Sequence, residues 1–143
     1  MKRQGTVGKA SRQFYAALNR MLNGDAGPLA AIWSHSASVT TMHPVGGREQ
    51  GWSKVNGRWR QVARVMSGGR VRLSNRLLRV AGDVAYEIGT EQGWLKLGRQ
   101  RVTIKHRVTN IYRREAGAWK VVHHHTDVAP GLVQALGRLR GKR

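Results

Sequence analysis

Ala118-Trp119-Lys120-Val121-Val122-His123-His124-His125-Thr126-Asp127-Val128-Ala129-Pro130 is the stretch that decides the fold. A β-strand turns successive side chains to opposite faces. Strict alternation therefore puts Trp119, Val121, His123, His125 and Asp127 on one side, and Lys120, Val122, His124 and Thr126 on the other. The first face runs from apolar to ionisable, as in a strand whose first half lines a core and whose second half reaches a pocket mouth. Asp127 is placed to fix the tautomer of a neighbouring imidazole. The competing expectation is an exposed strand with solvated histidines. His123, His125 and Asp127 are the pocket candidates this stretch supplies.

Working outward, Glu115 to Gly117 is a turn, and Arg101 to Tyr112 is a long strand that pairs antiparallel with the first. Val84 to Glu91 is another, with Val84, Tyr86 and Ile88 opposite Ala85, Glu87 and Glu91. Gly82-Asp83 joins it to a strand carrying Val71, Leu73 and Leu77, and Gly93 to Gly98 reads as a connection. Val39 to His43 is a short strand stopped by Pro44 and Gly46-Gly47.

The remaining elements have helical period. Val7, Ala10, Phe14, Ala17 or Leu18, and Met21 predict a helix from Thr6 to Asn23. Asp25 caps a short second helix carrying Leu29, Ile32 and Trp33, with Pro28 in its first turn. Trp52, Val55, Trp59, Val62 or Ala63, and Met66 form the stripe of a third helix, which Ser67-Gly68-Gly69 closes. Leu132, Val133, Leu136 and Leu139 predict a docked or frayed helix in the basic tail, 131–143.

The chain has 143 residues, enough for one domain with one core, and no cysteine, which excludes disulfides and thiolate zinc sites and suits a cytoplasmic location. No apolar run spans a bilayer, so a soluble protein without membrane insertion is expected. Lys and Arg number 26 against 7 acids, for a net charge of +19, a field that attracts nucleic acid or any polyanion at low salt. Asp25, Glu49, Asp83 and Glu115 have local roles at helix starts and turns, leaving Glu87, Glu91 and Asp127 as pocket acids. The pattern predicts a surface supercharged by design or evolution over an ordinary core, as in an engineered variant. Arg58, Arg60, Arg64, Arg70, Arg72 and Arg76 are then surface residues for nonspecific polyanion contacts.

Three helices followed by an antiparallel meander give an α+β domain with helices over one concave sheet face. Phe14-Tyr15-Ala16-Ala17, Trp33-Ser34-His35 with Val39-Thr40, Arg107-Val108-Thr109-Asn110 and Gly117 to His125 fall in the order seen in SnoaL-like proteins, of the nuclear transport factor two-like superfamily. The resemblance covers Val7 to Pro130. It implies a cone-shaped barrel with a pocket between helices and sheet, commonly dimeric through the outer sheet face, in a superfamily of cyclases, isomerases, dehydratases and many members without demonstrated catalysis.

Ketosteroid isomerase, on the same kind of fold, pairs an aspartate base with a tyrosine and a protonated aspartate. Tyr15 and Asp127 are present here without a matching second acid, and Tyr15 reads as a core residue with a satisfied hydroxyl. Arg107 matches the family's strand arginine and is expected to pair with Glu87 or Asp127. His35 and His43 read as cap or wall residues. Trp33, Trp52 and Trp59 pack in the core and are candidate walls for a small apolar ligand. His123, His125 and Asp127 are too few for a metal site, and no cofactor is expected. Three functions remain: a pocket with no assignable reaction under a cationic surface, a dedicated nucleic-acid or polyanion binder, and an acid–base isomerase, cyclase or dehydratase. Single-strand binders stack bases on exposed rings, whereas these tryptophans follow the apolar stripes, which favours the first.

Overall fold

The computed structural model describes residues 2–141, with side chains from 7 to 140. In chain order the elements are α1 (Lys2–Met21), α2 (Gly27–Ile32), β1 (Thr40–His43), β2 (Gly46–Gln50), α3 (Trp52–Val65), β3 (Met66–Ala81), β4 (Val84–Leu97), β5 (Gln100–Glu115), β6 (Ala118–Thr126) and α4 (Pro130–Gly141). The strands form one curved, unclosed sheet in the order β2-β1-β6-β5-β4-β3, antiparallel throughout except where β1 runs parallel to β6.

Helix α1 buries the stripe its spacing predicts, with Val7, Phe14, Leu18 and Met21 against the sheet. Ser11 and Tyr15 lie one helical turn apart and bring hydroxyls into the same interior. Trp33, Val39, Tyr112 and Val121 fill the core beyond them, each 1 % exposed or less. Among the described residues no helix is long and apolar enough to cross a membrane.

Three local expectations change, and the choice between a docked and a frayed tail is resolved. Gly93 to Gly98 is not a connection, because β4 continues through it to Leu97. Gly93 pairs with Val71 and Ile104, and a Cβ built on it falls 1.9 Å from the Arg70 carbonyl oxygen, so only glycine lets the strands approach there. Ser67-Gly68-Gly69 likewise belongs to β3. Glu49 does not start α3: the N-cap is Gly51, at φ 89°, and Glu49 sits in β2, where its Oε1 accepts the Thr41 hydroxyl at 2.9 Å. The tail docks as α4, burying Leu132 and Ala135, while Gln100 Nε2 donates to the Ala135 carbonyl at 2.9 Å.

Candidate functional site

Strand β6 does not keep a single alternation. Tyr112 of β5 pairs with Val121, but Ile111, the next residue back, pairs with His123, so Val122 is an extra residue with no partner. Such a bulge shifts the side-chain phase by one. Trp119 and Val121 face the core as expected, and beyond the bulge His124 and Thr126 take the inner face. His123 and His125 are therefore on the outer side, correcting the face that strict alternation assigns them.

The inner face opens onto a cavity of about 410 Å³. Leu18, Met21 and Leu22 of α1, Val62 and Val65 of α3, Leu95 and Ile104 of the sheet, and Leu132, Leu136 and Leu139 of α4 make its apolar wall. Its polar lining includes Glu91, His106, His124, His43, Arg58 and Arg140.

These ionisable groups hang on a buried network. Tyr15 donates its hydroxyl to Glu91 Oε2 at 2.9 Å, and His106 Nε2 donates to Glu91 Oε1 at 2.8 Å. Burial, the largest single influence, raises the Glu91 carboxyl, but the His106 hydrogen bond, the neighbouring imidazoles of His124 and His106 and the Tyr15 hydrogen bond together outweigh it and hold Glu91 below its ordinary value. Burial, with the Glu91 charge beside it, pushes the Tyr15 phenol up, so that hydroxyl remains a donor. Deeper in, Glu87 Oε1 accepts from Tyr112 at 2.7 Å and Asn110 Nδ2 at 3.1 Å, and Oε2 accepts from Ser11 at 2.6 Å.

Asn110 links the two layers. Its Nδ2 also donates to the Tyr15 oxygen at 3.0 Å, so its Oδ1 faces His124 Nδ1 at 2.6 Å. An amide oxygen accepts only, which places the His124 proton on Nδ1 and leaves Nε2 as the ring nitrogen with a lone pair. Burial takes His124 down to about 4, so it is neutral near pH 7. His43 is lower still, at about 3, through burial and the charges of His124 and Arg58. Its Nε2 lies 3.1 Å from Glu49 Oε1 without the alignment of a hydrogen bond.

Of the expected site residues, Trp59 lines the cavity and touches His43 and His124, with ring centroids 4.9 and 5.8 Å away. Trp33 is core behind it, and Trp52 stacks on His35 at 4.3 Å, away from the cavity wall. Tyr15 and Glu87 are buried supports, not lining groups. Arg107 does pair with Asp127, through its Nε at 2.8 Å, but on the outside of the sheet. There the Arg107 hydrogen bonds hold Asp127 down at about 2. These two and His125 border a shallow outer groove, while His123 Nδ1 bonds the Thr40 hydroxyl at 2.6 Å.

One of the six surface arginines moves inward, and another, exposed as expected, reaches a buried acid. Arg58 shares the cavity-facing side of α3 with Gln61, Val62 and Val65, at helical spacing, and its Nε is buried without a hydrogen-bond partner. Arg76 Nε lies 3.5 Å from the fully buried Glu87 carboxylate. Arg60, Arg64, Arg70 and Arg72 are exposed as expected. The residues absent from the expected site are His106, His124, Asn110 and Arg58. For His106 and Asn110 the signal was present: Val102, Ile104, His106, Val108, Asn110 and Tyr112 alternate on the buried face of β5.

A SnoaL-like domain model matches residues 7–129. Comparison with curated proteins returns no match. Among solved structures, the chain is similar to a candidate dehydratase of the NTF2-like family from Streptomyces avermitilis. The two are 24 % identical, with a TM-score of 0.79 over 90 % of this chain and 96 % of that one. It is also similar to an NTF2-like superfamily protein from Salmonella enterica serovar Typhimurium, at 16 % identity and TM-score 0.77 over 88 % and 91 % of the two chains. A candidate ketosteroid isomerase from Shewanella frigidimarina follows at 17 % identity and TM-score 0.69, over 85 % and 94 %. At these identities the structures share a fold, and the domain match across nearly the whole chain supplies the family: the protein belongs to the SnoaL-like domain family.

Proposed function

We propose that the cavity binds a small, largely apolar molecule and that the Glu91–His106 pair moves a proton on it. One observation carries this. Seven buried side-chain atoms lack a hydrogen-bond partner among the described residues, and four of them belong to cavity-lining His43, Arg58, Trp59 and His106. Buried polar groups are normally satisfied, so orphans gathered around one cavity mark where a ligand supplies the missing partners.

The chemistry follows from the proton inventory. With Nε2–H committed to Glu91, the ring lone pair that His106 can offer as a base lies on Nδ1, and Glu91 stabilises the imidazolium formed when Nδ1 takes a proton. A proton α to a ligand carbonyl is the kind such a base removes: the C–H bond breaks, an enolate forms, and the same imidazolium returns the proton. This fits the dehydratase and isomerase descriptions of similar structures. The test is exchange of α-hydrogens of small cyclic ketones in heavy water. Wild type should catalyse it and Glu91→Gln should not. Exchange equal to that of buffer, with no ketone-induced movement of the His106 and His124 signals in NMR spectra, refutes the proposal.

Two further roles are proposed for the exterior. Arg60, Arg64, Arg70 and Arg72 give nonspecific, salt-sensitive polyanion binding as a supercharged overlay on the domain, expected to be comparable for unrelated DNA and RNA sequences and to weaken steeply with salt. The outer sheet face, where Tyr86 and Ile88 are 46 % and 38 % exposed, is the proposed homodimer surface.

A further inference from the structure

The cavity's charges are unbalanced in a way that proton transfer does not require. Its only acid is Glu91, which is already held by His106 and Tyr15. The same lining carries Arg58 from α3, Arg140 from α4 and the imidazoles of His43, His106 and His124. The chain's seven acids each pair with a basic side chain among the described residues, and none of those partners is Arg58 or Arg140.

Arg58 is the telling member. It is half-buried, its Nε has no partner, and its one hydrogen bond is a long one of 3.3 Å from Nη1 to the Gln61 amide oxygen. A guanidinium withdrawn from water normally recovers its hydration from a carboxylate or phosphate, in a paired geometry. Among the described residues no carboxylate pairs with Arg58, and the nearby His43 is driven down partly by this charge instead of relieving it.

Resting on the cavity assignment above, we infer that the ligand is an organic monoanion, with its apolar body along the Leu18, Leu95 and Ile104 wall and its carboxylate or equivalent oxyanion on Arg58, with Arg140 at the rim. Glu91 lies in the same lining, but both of its carboxylate oxygens are occupied, Oε1 by His106 Nε2 and Oε2 by the Tyr15 hydroxyl. The imidazoles of His43 and His124, held neutral near pH 7 by burial, do not compete with Arg58 for the anion.

The test uses two probes of nearly equal shape, 2-naphthoate and its neutral amide, 2-naphthamide. Binding is followed by calorimetry and by the NMR signals of the Trp59 indole and His124. About 0.5 M sodium chloride screens the exposed arginines, whereas a partly buried site is screened much less. Wild type should bind naphthoate about tenfold more tightly than the amide, the worth of one charge-assisted hydrogen-bonding contact. Arg58→Gln should equalise the two while still binding the amide, and Arg60→Gln, on the exposed side of α3, should keep the preference. Equal binding of both probes by wild type, with Trp59 and His124 responding, overturns the anion assignment and leaves the cavity assignment standing. Preference retained in Arg58→Gln also overturns it. Binding of neither probe, with those signals unmoved, removes the cavity assignment and this inference together.

Discussion

Asn110 Oδ1 lies 2.6 Å from His124 Nδ1, and that single contact decides which nitrogen of the cavity imidazole carries a proton. The amide is held in that orientation because its other end donates to Glu87 Oε1 and to the Tyr15 oxygen. A carboxylate outside the cavity wall thus sets the tautomer of a histidine on it. Asn110→Leu should leave His124 free to place its proton on either nitrogen, seen in the nitrogen-15 shifts of the ring. It should also cost about 2–4 kcal/mol, since buried acceptors and donors lose their partners. An unchanged His124 tautomer would show that Asn110 does not set it.

Acid should unfold this protein through its histidines. An unfolded imidazole titrates near ~6.5, whereas His124 and His43 titrate at about 4 and about 3 in the folded chain. The unfolded state therefore binds more protons across that interval. Stability from these groups is complete above the unfolded value and is lost as pH falls toward the folded ones. The slope is up to about 1.4 kcal/mol per pH unit for each histidine. Glu91, held below its ordinary value, adds to the loss in the same direction at lower pH. Urea unfolding midpoints at pH 7, 6 and 5 measure the slope, and His43→Gln should remove roughly half of it between pH 6 and 5. A flat profile over that range would mean that these histidines are not buried in their neutral form.

Much of the site was legible before the fold was seen, because alternation is local and β4 and β5 obey it. Glu87 and Glu91 fall on one face, and Val102 through Tyr112 carry His106 and Asn110 inward with them. The histidine run was misread because alternation holds only while pairing stays in register. Nothing in Val121-Val122 announces that β5 skips a residue, and one extra residue exchanges His124 for its two neighbours. Gly93 failed for the opposite reason. Glycine usually punctuates a chain, but here it continues a strand through a contact that no side chain fits. Arg58 reads as solvent-facing on charge alone; only the folded arrangement, in which α3 and α4 line one cavity, shows that its flank of α3 is an interior one.

The outer face should behave as an association surface. Leu77 pairs with Ile88 across β3 and β4, and Tyr86 pairs with Ile111 across β4 and β5, so four large apolar side chains share the side away from the cavity. Ile88→Glu places a charge in that patch, on the opposite face of the sheet from His106. Sedimentation velocity should show a wild-type dimer and a monomeric variant, with the His106 and His124 NMR signals unchanged. A monomeric wild type at micromolar concentration would dismiss the surface.

Arg76 and Arg60 separate structural from superficial charge. Both are exposed, as expected of surface residues, yet Arg76 Nε stands 3.5 Å from a Glu87 carboxylate that is wholly buried. Glu87 keeps three hydrogen bonds, from Ser11, Asn110 and Tyr112, when Arg76 is changed, so it is not left bare. It does lose its one ion-pair partner among the described residues. Removing one partner of a buried pair costs ~3–5 kcal/mol, but Arg76 is itself 38 % exposed and the contact is long, so solvent screening reduces the expectation for Arg76→Gln to about 1–2 kcal/mol. Arg60→Gln should stay within about 0.5 kcal/mol of wild type. Adding Glu87→Gln to Arg76→Gln should then cost less than the two single changes summed, because each removes the same attraction. Chemical denaturation of the four proteins measures the coupling. Additive losses would mean that Arg76 carries no charge-specific role and belongs with the exposed arginines after all.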